Sequence, residues 1–192
     1  IDLGFYKPSF LFMKLETRYS FFEIFGKMDE AVFFHEYSHF LQDVTTNYGL
    51  ANLYVTLSCI SNLSKYIRNK TTLVLPISNF QSESDSANVD YFDLCYGART
   101  NEKINHNDYI TGISFVPNQI SMIYPDYEVC IVKLHKNDGK TLELNFGAYA
   151  IKESMAYLFE KQTQKIIKNT NEWPYQSVKM VTAFLLEKEG LL

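Results

Sequence analysis

Apolar and polar positions follow several distinct rhythms along this chain. Residues 10–18 (FLFMKLETR) begin with aromatics and end on alternating polar positions, which predicts a strand. Over 29–46 the apolar spacing becomes helical, and Asp29 and Glu30 place negative charge at the positive end of the helix dipole. Asn47 and Gly49 supply termination chemistry for that helix. A second helix is expected over 50–67, with no Pro or Gly inside it. The serine-rich stretch 78–88 (SNFQSESDSAN) reads as a loop, and 90–126, punctuated by Gly97, Gly112, Pro117 and Pro125, as irregular chain with short elements. Two β-favouring runs, YEVCIVKLH and KTLELNF, flank Asn137, Asp138 and Gly139 and predict a hairpin over 127–146. Helical spacing returns after Gly147 to about residue 168, and Pro174 is suited to start a last helix that runs to about residue 188. Residues 1–9 carry no clear pattern.

These elements make an α+β chain, rich in helix, with a small antiparallel β element. At 192 residues it has the size of one medium domain, and its start at Ile1 rather than Met fits a fragment of a longer protein. With 46% hydrophobic and 21% charged residues, disorder is excluded as the main description. The 18 basic and 22 acidic side chains leave a net charge of -4, so no nucleic-acid partner is expected. Cys59, Cys95 and Cys130 have no C-x-x-C spacing and are expected to be reduced core thiols. No apolar run approaches the roughly 18 residues of a membrane span, and no signal-peptide layout is present, so a cytoplasmic protein is expected. Oligomeric state leaves no mark in the sequence.

The four histidines carry more information. Two of them belong to His35-Glu36-Tyr37-Ser38-His39, an H-E-x-x-H motif on the first predicted helix. Residues four apart share a helical face about 5–6 Å apart, so both imidazoles can converge on one ion. With His35 at zero and about 100° per residue, His39 falls at roughly 40°, Asp43 at 80° and Glu36 at 100°. Phe33, Phe34, Tyr37, Phe40, Leu41 and Val44 fall on the opposite side, which is expected to face the core. Zinc lowers the pKa of a bound water towards about 7, and Glu36 is placed to accept its proton as hydroxide attacks a carbonyl.

A catalytic zinc site usually has three protein ligands. Asp43 lies about 12 Å along the axis from His35, too far to be the third, and is better suited to accept a hydrogen bond from a ligand imidazole. Glu153, on the helix after the hairpin, is the preferred donor; its small neighbours Ala150 and Ser154 are expected to let the two helices approach. Glu160 shares its stripe about 10.5 Å further along and is an alternative ligand or supporting group. His106 and His135 are further candidates. Charge that develops in the transition state also needs a hydrogen-bond donor, for which Tyr157 is the first choice, with Tyr149, His106 and His135 as alternatives.

HEYSH at 35–39 together with KESMA at 152–156, with 153 − 39 = 114 positions from the second His to the Glu, resembles the zincin metallopeptidases in their glutamate-zincin form. The resemblance implies a zincin-like fold built on a motif helix, zinc ligation by His35, His39 and Glu153, Glu36 as general base, and a peptide or protein substrate. It directly matches only about ten positions. Gln42 and Thr45 stand where the metzincin extension has Gly and His, and Tyr157 stands where thermolysin-type enzymes have Asp. The expected activity is zinc-dependent peptide hydrolysis, with an edge strand, either 10–18 or a hairpin arm, holding an extended substrate. The alternative is a non-catalytic interaction domain with a degenerate or structural metal site. A di-iron bundle would need a second E-x-x-H, which the chain lacks.

Overall fold

A computed structural model describes residues 4–7, 10–74, 77, 83–97, 100, 102–117, 128–163 and 172–191. Strands β1 (Gly4–Lys7) and β2 (Phe12–Leu15) pair antiparallel, and a 3-10 turn at Phe21–Glu23 leads into helix α1 (Met28–Thr45). Helices α2 (Asn47–Arg68) and α3 (Glu83–Tyr96) follow. Strands β3 (Tyr109–Pro117), β4 (Glu128–His135) and β5 (Thr141–Asn145) form a second antiparallel sheet in the order β3-β4-β5. Helices α4 (Ala148–Thr163) and α5 (Trp173–Lys188) complete an α+β arrangement of five helices and two small sheets among the described residues. No helix among them is long and apolar enough to cross a membrane.

The main apolar core lies between the three-stranded sheet and α5. On β4 the alternation of a half-buried strand sends Val132 and Leu134 fully inward, where they meet Ile104, Ile110, Leu144 and Trp173. Met180, Val181 and Phe184 of α5 close over them at helical spacing. Pro174 occupies the first turn of α5, where its missing N–H breaks no helical bond. Helix α4 is packed between α5 and α1. A serine pair joins α4 to α5: Ser154 Oγ donates to the Pro174 carbonyl at 2.6 Å, and Ser177 Oγ donates to the Ala150 carbonyl at 3.2 Å.

The first predicted strand, the motif helix, the hairpin and the last two helices are all present. The stop between α1 and α2 differs from expectation. Thr46 alone breaks the helix in an extended conformation; its Oγ donates to the Gln42 carbonyl at 2.6 Å and accepts from the Gly49 amide at 3.0 Å. Asn47 and Gly49 therefore begin α2 instead of ending α1. Gly49 is required by contact, because a Cβ there would lie 2.4 Å from Asp43 Cα.

The described parts of two regions, one expected to be a loop and the other irregular with short elements, carry a helix and a nine-residue strand. Residues 83–88, placed in a loop by composition, open α3, whose Val89 and Phe92 line an apolar hollow with α2; that tertiary contact overrides a polar local sequence. Strand β3 runs through Gly112 because a bulge at Thr111 absorbs the irregularity, and it ends in Pro117 because an edge strand tolerates a missing donor. Residues 78–82, 98–99, 101, 118–127 and 164–168, covered by predictions above, lie outside the described residues. The three cysteines form no disulfide among the described residues and are half-buried rather than in the core.

Asp108 anchors the sheet to the chain before it. Its side chain is fully buried and accepts from the amides of Asn105 and Asn137, each at 2.8 Å, with Lys136 Nζ at 3.1 Å. Burial raises the pKa of this carboxyl, but those hydrogen bonds and the Lys136 charge outweigh it and hold it below the ordinary value. Asp108→Ala is expected to lower unfolding free energy by about 2–4 kcal/mol in urea titrations at neutral pH. Because the folded-state pKa is depressed, the contribution is complete above about pH 4 and is lost as pH falls through the folded value, so wild type and variant should converge in acid.

Candidate metal centre

Helix α1 turns the opposite way from its helical-wheel expectation. Its polar stripe faces inward against α4: Ser38, Gln42 and Asp43 are buried, and Asp43 is completely so. The aromatic side is the half-exposed one, with Tyr37 and Leu41 each 36% exposed. It is covered in part by aromatic contacts, Phe33 against Phe21 of the 3-10 turn at 5.4 Å and Phe40 against Tyr6 of β1 at 6.2 Å. An amphipathic helix can be read for its two faces but not for which one its neighbours bury. Here a second polar stripe, on α4, makes the polar face the interior one.

That orientation brings His35, His39 and Glu153 together, with one ligand atom from each lying within 4.8 Å of the others. His35 Nε2 is 3.5 Å from Glu153 Oε2, and His39 Nε2 is 3.5 Å from Glu153 Oε1. The side chains are only 15%, 12% and 18% exposed. The three groups are close enough to hold one small divalent cation through nitrogen and oxygen donors. The far ring nitrogens are also engaged. His35 Nδ1 is 3.2 Å from Glu160 Oε2, and His39 Nδ1 is 3.1 Å from Gln42 Oε1. With these acceptors at Nδ1, the Nε2 atom of each ring is the one that faces Glu153 and is free to ligate once its proton is released.

The charges point the same way. Burial disfavours the His35 imidazolium, but hydrogen bonds and charge from Glu153 and Glu160, with the charge of Glu36, outweigh it and hold its pKa up at about 9. Burial pushes His39 down, and the attraction of Glu153 does not restore it against the charge of His35. Burial also opposes the Glu153 carboxylate, yet His35 and His39 keep its pKa below the ordinary value. These shifts describe a carboxylate paired with a protonated His35, so a cation held at the point the three share would take the place of that proton. Glu36 is half-buried on the same helix.

Other predicted residues land differently. Asp43 does not serve an imidazole: its Oδ1 takes a 2.6 Å ion pair from Lys152 Nζ, and Gln42 fills the role expected of it. Burial, followed by the charge of the neighbouring Asp43 and the approach of its carboxylate, pushes the Tyr6 phenol up. The Ser154 hydroxyl is turned to α5, where it bonds the Pro174 carbonyl. Tyr157 is buried, with its ring 5.6 Å from Tyr175. His135 sits on β4 against Tyr109, and His106 is exposed in the turn before β3.

Tyr175 is the aromatic that sequence reasoning missed. Its ring lies 6.4 Å from that of His35, and burial, followed by the charge of Glu153, pushes its phenol up. No spacing rule links it to the motif; it arrives through the serine contacts between α4 and α5. Gln42, by contrast, was within reach, since it is one turn after His39 on the same stripe.

The chain matches no known protein family, and no characterised protein or solved structure resembles it significantly.

The buried Asp43–Lys152 pair ties α1 to α4 beside the cluster. Lys152→Met would leave a fully buried carboxylate without its partner, and stability to urea is expected to fall by about 3–5 kcal/mol. Adding Asp43→Asn should recover a large part of that loss; equal stability of wild type and Lys152→Met would show that the pair does not hold the helices together.

Proposed function

We propose that this protein is a zinc-dependent metallopeptidase of the glutamate-zincin kind, in which His35, His39 and Glu153 hold the ion and Glu36 is the general base. The observation that carries the reading is the convergence of two Nε2 atoms of an H-E-x-x-H helix on a carboxylate from a second helix, at 3.5 Å each. Two imidazoles and one carboxylate form a donor set common in catalytic zinc sites, and a tetrahedral ion held by three side chains keeps a fourth position for water or substrate. When bound, zinc supplies Lewis acidity, which polarises a carbonyl and makes coordinated water acidic near neutral pH.

The remaining work falls to the chain. Glu36 shares the polar side of α1 with both histidines and is the carboxylate to accept a proton from the attacking water, then return it to the leaving amine. Glu160 and Gln42 keep the ligand rings in their tautomers. Tyr157 was the tyrosine expected to donate to the oxyanion; Tyr175, packed on both Tyr157 and His35, suits that role better. A phenol held in its protonated form by burial and by Glu153 is a donor at any physiological pH.

Glu36→Gln is expected to bind about one zinc per chain, as the wild type does, while hydrolysis of an unfolded protein substrate falls by about 10²–10⁴-fold. Cleavage at the wild-type rate would overturn the mechanism. Glu153→Ala should lose most of its zinc affinity in a chelator competition, and unchanged affinity would remove Glu153 from the ligand set. Tyr175→Phe should lower kcat by about 10²-fold with KM little altered.

A further inference from the structure

Two hollows meet beside the cluster. The first, of about 420 Å³, is lined by His39 and Glu153 at one end and by Tyr6, Tyr48, Tyr96 and Lys152 around them. The second, of about 400 Å³, is walled by Val55, Cys59, Ile60 and Val89, with Phe10 over it. Asn52 and Thr56 of α2 and Phe92 and Asp93 of α3 line both, so the two are one trough that leaves the candidate centre between α2 and α3. Its chemistry changes along its length. Near His39 and Glu153 the walls are tyrosines, an amide and charged groups; at the far end they are aliphatic and aromatic.

The α2 wall sets the length. Tyr48, Asn52, Thr56 and Ile60 recur every four residues, a single stripe on one helical face. At about 1.5 Å per residue, the apolar section from Val55 to Ile60 lies roughly 10–18 Å along the axis from Tyr48. An extended peptide advances about 3.3 Å per residue, so, counted from the Tyr48 end of the hollow that His39 and Glu153 also line, that distance corresponds to three to five residues. The α3 wall is held in place by a close backbone approach. A Cβ on Gly97, just past the end of α3, would lie 2.8 Å from the Gly147 nitrogen at the start of α4, and one on Gly147 would lie 2.6 Å from the Cys95 carbonyl.

We propose, on the reading that the centre hydrolyses peptides, that this trough is the substrate channel, that it takes an extended, unfolded polypeptide segment, and that it selects a bulky apolar side chain three to five residues from the bond cut. Polar groups at the near end suit a peptide backbone, whose N–H and C=O groups need partners when they leave water. The apolar end suits a Leu, Ile, Met or Phe side chain and disfavours a charged one. The substrate is then held by helices, not by the edge strand that the sequence suggested. A compact small molecule would leave one end of the trough unfilled.

The test has two arms. A digest library of peptides incubated with wild-type protein and sequenced by mass spectrometry should show apolar residues enriched about tenfold at one position three to five residues from the cut. In Ile60→Arg, whose native side chain is 37% exposed, that preference should move to Asp and Glu. A flat profile over those positions, or the same profile in Ile60→Arg, overturns the channel. The second arm needs no hydrolysis. A short Gly/Ser peptide carrying a single benzoyl-phenylalanine is photolysed with Glu36→Gln, and the crosslink should fall within residues 52–60 or 89–93 and be displaced by a Leu-containing but not an Asp-containing competitor. Crosslinks elsewhere, or none, overturn the channel even if cleavage is rapid. A crosslink in the trough from a protein that cleaves nothing keeps the channel and overturns the hydrolytic reading alone.

Discussion

The structure depends on a polar helix face being turned into the interior. Helix α1 could bury its aromatics and leave His35, Glu36, His39 and Asp43 in water, which is what hydrophobicity alone favours. Instead Asp43 is fully buried and holds Lys152 of α4 at 2.6 Å. Burying an unpaired carboxylate is prohibitive, whereas a pair with good geometry roughly breaks even. The pair is therefore better understood as a device that specifies orientation than as a source of stability. It decides which side of α1 meets α4, and so where both histidines point.

The rest of the cluster follows from that decision. Once α4 is registered against α1, Glu153 comes opposite the two Nε2 atoms, and Glu160, two turns on, reaches His35 Nδ1. Gln42 has a double use, since its Oε1 meets His39 while its Nε2 donates to the Lys152 carbonyl at 3.3 Å. The same amide thus fixes a ring and reports the position of the opposite backbone. Helix α5 adds Tyr175 from the other side, through the Ser154 and Ser177 hydroxyls that stitch it to α4. Each contact is modest alone, near 1 kcal/mol for a neutral hydrogen bond. Their value is that they constrain the same few atoms from several directions.

Local pattern made the motif helix, the hairpin around Gly139 and the Pro174 start legible, because spacing, turn residues and a fixed φ act over a few positions. The candidate cluster was legible where it rests on helical periodicity, as for His35 and His39. Glu153 was reached by combining periodicity with the need for a third donor. What stayed hidden depends on contacts far apart in the chain. The inward turn of α1 requires knowing α4, the helical state of 83–88 requires the α2 surface, and Tyr175 requires the α4–α5 contact. Ser154 carries the same lesson, since its hydroxyl bonds α5: a small residue signals a close neighbour without saying which helix it is.

Thr46 joins two parts of the molecule that do different things. One hydroxyl bonds the Gln42 carbonyl of α1 and the Gly49 amide of α2, and Gly49 presses the α2 backbone onto Asp43. The helix that carries both histidines and the helix that forms the trough wall therefore meet at an elbow with almost no slack. Such a joint transmits a shift of either helix directly to the other. Variation in what this chain recognises should consequently accumulate as side-chain exchanges along the stripe of α2, with its backbone left in place, since re-aiming that helix would also drag the histidines out of register.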